Sequence, residues 1–223
     1  MLAQNPSQIF KSENRGAIVT EKYNCLSVFN YLNFQDKSRA AFHQLSIFND
    51  ETLASKETIA YTSFQDEIVV LFPLVGSIEL NSVETSEILE VNQLYVFSNR
   101  NNTSFSISNP YENELVNFLQ IRFNSYATEK HKIYFDIEKQ NEIISLYEND
   151  NFAISIGVFD ARSESTYKLK NQQKGLFAFV LGGAFEFQNR LLENRDGLKI
   201  WDIDEIEFEA LSPMAMLLII DII

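Results

Sequence analysis

Residues 49–76 read NDETLASKETIAYTSFQDEIVVLFPLVG, and this stretch decides the fold. Asn49-Asp50 reads as the opening of a turn, Thr58–Phe64 as one extended run and Glu67–Leu74 as the next. The run EIVVLFPL is nearly unbroken in apolar and β-branched residues, the pattern of a strand covered on both faces. Gly76 then releases the backbone for a bend at a barrel corner.

The same texture continues outward in both directions. Upstream, residues 1–24 form an extended arm, Leu26–Phe34 is aromatic-rich, and Phe42–Phe48 alternates as a strand. Downstream, Glu87–Val91 and Leu94–Phe97 flank Asn92-Gln93, with Asn the non-glycine residue best able to adopt positive φ. Thr103–Ser108 and Leu115–Phe123 follow. The polar segment 125–142 reads as a linker, with a turn or two of helix near Glu138–Ile143. After it come more short apolar runs, punctuated by the hairpin signals Gly182-Gly183 and Asp196-Gly197. The closing MAMLLIIDII is too short for a bilayer and reads as a last buried strand. Short strands with turns roughly every eight to twelve residues predict an all-β chain built as two tandem jelly-roll barrels. The expected domains are 1–124 with the arm, the linker 125–142, and 143–223.

Composition narrows the function. The chain has 223 residues, 45% of them apolar, and 19 Phe, enough for two sizeable cores. Its formal charge of −13 disfavours nucleic acid, because no cluster of Lys or Arg is present to displace counterions from phosphates. Cys25 stands alone, so no intramolecular disulfide forms, and a small buried hydrophobe is its expected role. The N-terminus lacks the basic and apolar regions of a secretory signal. No apolar run approaches the ~20 residues that span a bilayer. A cytoplasmic protein with no membrane partner is expected.

Several separated blocks together resemble one family. FHQLSIFNDETLA, EIVVLFPLVGSIEL, LYVFS and ENELVNFLQI occur in the order and spacing of the pirin and quercetin-dioxygenase-like bicupins. Arg15-Gly16 and GLKIWDIDEIEF add to the match. The resemblance implies two cupin barrels. It also implies a single metal ion, iron or another divalent cation, held in the first barrel by a His-x-His pair and a His-x-Glu pair.

In this sequence those positions lack the donors. Alignment without a gap from Asn49 to Gly76 puts the first pair on Thr62 and Phe64. A shift of one residue, which matches Glu67 to a glutamate common in the family, puts it on Tyr61 and Ser63. The second pair falls on Phe105 and Ile107. A cupin ion needs imidazole and carboxylate donors about 2 Å away, converging from strands on which residues two apart share a side. None of these residues supplies an imidazole, so no metal or other cofactor is expected. Glu67 is a possible pocket carboxylate, whose pKa burial would raise. The remaining histidines, His43 and His131, are expected to make ordinary single hydrogen bonds. The reading is a pirin-like bicupin that has lost its metal site and serves binding, sensing or interaction, its partner an unidentified small molecule or protein. The alternative is a quercetin 2,3-dioxygenase-like oxidoreductase with a relocated metal site.

Overall fold

The computed structural model describes residues 5–63, 65–83, 85–138, 140–171 and 173–223. The chain divides into two compact units, residues 15–135 and residues 1–14 with 136–223. The expected arm, 1–24, is therefore divided: its residues up to 14 belong to the second unit and not to the first barrel, whereas 15–24 stay with the first. Its strand β1 (Ser7–Phe10) pairs antiparallel with a strand at 197–200 of the second unit. Lys11 Nζ lies 2.6 Å from Asp196 Oδ2, and the Ser12 amide donates to Asp196 Oδ1 at 2.8 Å. An unpaired sheet edge exposes backbone donors and acceptors, and β1 covers this one.

The unit 15–135 is built from β2 (Gly16–Val19), β3 (Tyr23–Ser27), β4 (Leu45–Leu53), β5 (Thr58–Thr62), β6 (Glu67–Val75) and β7 (Ile78–Ser82). It continues with β8 (Ser86–Leu89), β9 (Gln93–Asn99), β10 (Ser104–Ser108), β11 (Val116–Asn124) and β12 (Lys130–Tyr134). One sheet runs β12-β9-β6-β11-β4-β3-β2 and the other β5-β10-β7-β8. Between them Leu53, Val69, Leu71, Leu80, Tyr95 and Phe118 form a closed core. Gly76 has φ 72 at the β6–β7 corner and Asn92 has φ 65 before β9, both as their residue types foretell.

Three sequence expectations change here. Asn49-Asp50 opens no turn but lies inside β4, with Asn49 fully buried. His43 stands outside that strand, exposed at a turn with φ 53. The expected linker, 125–142, contains β12, paired to β9, and ends in a strand that starts at Glu142, where the sequence suggests a turn of helix; residue 139 of that expected turn lies outside the described residues.

The second unit contains β13 (Glu142–Glu148), β14 (Phe152–Phe159), β15 (Glu164–Lys168), β16 (Leu176–Gly182), β17 (Phe185–Phe187) and β18 (Leu191–Leu192). It closes with β19 (Gly197–Ile200), β20 (Glu205–Ala210) and β21 (Ala215–Ile222). Its sheets run β1-β19-β16-β21-β14-β13 and β15-β20-β17-β18. The last strand, β21, is almost wholly buried, as its apolar run predicts. Phe159, Phe185, Phe187 and Phe208 fill the interior, with the Phe187 and Phe208 rings stacked at 5.6 Å. No helix among the described residues is long and apolar enough to cross a membrane.

Candidate functional site

In the first barrel the inward positions are apolar along most of each strand and turn polar toward one end. On β4 the sequence runs from Leu53 inward to Glu51 and Asn49. On β6 it runs from Leu71 and Val69 to Glu67, on β9 from Tyr95 and Phe97 to Asn99, and on β11 from Phe118 to Gln120 and Arg122. All of these are buried. Strand alternation dictates the pattern, since every second residue faces the same side. The cross-strand register supports it: Glu67 opposes Asn99, and Asn49 opposes Gln120.

The centre of this polar end is a guanidinium. Arg122 and Glu67 have side chains only 5% and 4% exposed, with Nη1 2.9 Å from Glu67 Oε1. Arg122 Nε donates to Gln120 Oε1 at 2.7 Å. Its guanidinium carbon lies 5.4 Å from the ring centre of Tyr61 and 5.4 Å from that of Phe105. Those rings stack on each other at 5.0 Å, because Tyr61 and Phe105 are direct partners across β5 and β10. A cation over aromatic faces gains from their quadrupoles, more so when desolvated. Ser63 and Asn99 complete the shell of Glu67 by donating to it.

A second carboxylate lies behind Tyr61. Glu51 is fully buried and accepts from Tyr61, from Tyr23 at 2.7 Å and from Asn49 at 3.1 Å. Burial raises its pKa above the usual carboxylate range, while the two phenols, Asn49 and Arg122 pull the other way. Burial likewise pushes the Tyr23, Tyr31 and Tyr61 phenols up, so they act as donors and not as bases. A cleft of about 430 Å³ opens here, lined among others by Tyr31, Ile47, Ile59, Tyr61, Glu67 and Arg122.

Each residue singled out from the sequence can now be placed. Tyr61 and Ser63 are buried at the polar end, whereas Thr62 is exposed on the outer face and shares a hydrogen bond with Ser104. Thr62 therefore does not share an inward face with Phe105 and Ile107, while Tyr61, one step along the strand, is paired with Phe105. A single step along a strand flips every side chain. Phe64 lies outside the described residues. Phe105 and Ile107 are buried, in the core beneath the site. Glu67 points inward, as considered, but it is already engaged by Arg122, Ser63 and Asn99.

The sequence reading missed Glu51 and Arg122, the two charged groups deepest in the site. The signal was present as Asn49-x-Glu51 and Gln120-x-Arg122, polar pairs two apart inside apolar strands. Cys25 is buried, and burial pushes its thiol up to about 12, which suits a core residue and not a nucleophile. His131 is exposed on β12, 2.9 Å from Glu129. Among the described residues, no three His, Cys, Asp or Glu side chains converge as a metal site requires. The groups at the polar end fit a metal poorly on their own chemistry: a phenol engaged with Glu51, a hydroxyl, a phenyl ring, and one carboxylate already paired with a cation.

Comparison with known proteins gives the following. Residues 139–222 match the quercetinase C-terminal cupin domain. Comparison with curated protein sequences gives no match. The structure of bacterial pirin YhhW from Escherichia coli in complex with nickel(II) superposes with TM-score 0.84 at 17% identity, covering 97% of this chain and 99% of that one. YhaK from Escherichia coli superposes at 0.72 with 18% identity, covering 95% and 94%. A quercetin 2,3-dioxygenase from Acinetobacter baumannii superposes at 0.75 with 10% identity, covering 98% and 87%.

Proposed function

We infer that this chain, a pirin- and quercetinase-like cupin protein, has exchanged the metal of its N-terminal barrel for an internal cation. Its role is then binding or sensing of a small molecule in the cleft beside Arg122, without oxygenase chemistry. One observation carries the reading: the Arg122 guanidinium sits against Tyr61 and Phe105, two of the positions at which ligands would be sought, and is paired with Glu67. A divalent ion placed among them would face a fixed positive charge within a few ångströms, in a medium that screens it weakly. Of the two carboxylates at this end, Glu67 is already paired with Arg122, and Glu51 is already held by Tyr61, Tyr23 and Asn49. Arg122 is thus a positional substitute for the ion, covalently attached and permanently charged.

The experiment is calorimetric titration of Ni(II) and Fe(II) into the protein, followed by incubation with a flavonol, Fe(II) and dioxygen. The reading expects no saturable metal binding and no oxygen consumption above the metal-only blank. A second reading, a quercetinase-like oxidoreductase with a metal site elsewhere, draws on the match of residues 139–222 to a quercetinase domain. Flavonol turnover above that blank would establish it and retire the first. We place the protein in the cytoplasm, in keeping with its acidic composition and single cysteine.

A further inference from the structure

Arg122 has donors to spare. Nε is taken by Gln120 and Nη1 by Glu67, and among the described residues Nη2 makes no hydrogen bond. Arg122 lines the cleft, with its side chain 5% exposed. The Tyr61 and Phe105 rings, each 5.4 Å away, and the Glu67 and Gln120 bonds hold the guanidinium plane in place. A charged donor is therefore presented, already oriented, at the floor of a cleft whose walls include Tyr31, Leu32, Ile47 and Ile59. Such preorganisation lowers the cost of binding.

The charge around it decides what kind of oxygen it would take. Glu67 neutralises the guanidinium at 2.9 Å. A second acid, Glu51, lies behind Tyr61 and accepts from Tyr61, Tyr23 and Asn49. A carboxylate ligand would be desolvated beside these acids for little net attraction. A neutral acceptor loses less water and meets the same donor.

We propose that Arg122 Nη2 is the anchoring contact of the cleft, and that the ligand is a compact, largely apolar molecule bearing a neutral carbonyl or amide oxygen. The proposal rests on the binding reading above. Its test uses three probes of one shape: 2-acetylnaphthalene, 2-ethylnaphthalene and 2-naphthoate, titrated by fluorescence into the wild type and Arg122→Met. The ketone should bind the wild type about tenfold more tightly than the hydrocarbon, the size of one hydrogen bond to a charged donor. In Arg122→Met that advantage should vanish, with the hydrocarbon unaffected and the naphthoate no tighter than the ketone in either protein. If the single variant does not fold, Glu67→Gln/Arg122→Met removes both charges and serves the same comparison. Equal binding of ketone and hydrocarbon to the wild type, tightest binding of the naphthoate, or no binding of any probe overturns the proposal. Metal found in the barrel would instead defeat the metal-free reading, so the two failures are separable.

Discussion

Arg122 and Glu67 form a buried ion pair, their side chains 5% and 4% exposed. Removing one leaves the other uncompensated, which typically costs about 3–5 kcal/mol. Arg122→Met and Glu67→Gln alone should each fall in that range by urea unfolding. The double variant should cost well under the sum, with a coupling of at least about 1 kcal/mol. Additive losses would show that the two act separately. Glu51 makes a pH prediction. Burial raises its folded-state pKa above the ordinary 4.5, so the folded protein holds the proton longer than the unfolded chain. Its contribution to stability is therefore full below about pH 4.5 and is lost as pH rises through the folded value. Compared with Glu51→Gln, the wild type should lose stability as pH rises above about 4.5; a difference between the two that stays constant as pH is raised refutes this. These were the residues hardest to see in the sequence. LQIRF gives Arg122 a parity but not a side, because inward and outward differ only through what Phe118 packs against on other strands.

At the scale of single elements, alternation was the most informative signal and also the source of the largest error. EIVVLFPL, IEFEA and the terminal apolar run form the strands their patterns announce. For TIAYT, periodicity alone does not say which of Tyr61 and Thr62 faces in, and the pairing Tyr61–Phe105 across β5 and β10 decides it. Asn49-Asp50 misled because turn-forming residue types were met without their strand neighbours, which bury them in β4. The arm could not be placed from sequence, since its edge strand pairs with a strand at the far end of the chain, Gln8 opposite Lys199. Its anchor is Asp196, 1% exposed, which accepts from Lys11, Ser12 and Glu193. Asp196→Ala strands these donors and should destabilise the second unit by about 2–3 kcal/mol. Deleting residues 1–14 should go further, exposing the edge of β19 and raising hydrogen exchange at Gly197–Ile200. Unchanged exchange there would mean that β1 adds nothing to the sheet.

Across the whole molecule, the two-barrel architecture was legible because it rests on many short signals that agree. The fate of the site depends on a few side chains whose meaning is geometric. The chain reaches the barrel topology of a nickel-binding bacterial pirin at 17% identity, while its own polar end is organised around a guanidinium. Scaffold and chemistry are separable in this way because the core beneath the site, from Val69 to Phe118, does not need an ion to close. The most direct measurement is elemental analysis of protein purified without a metal-affinity step, for iron, nickel, copper, zinc and manganese. An internal cation predicts that none is present near one equivalent per chain, before or after incubation with each metal and desalting. One equivalent of any of them, retained and lost when Tyr61, Ser63 or Glu67 is replaced, would contradict it.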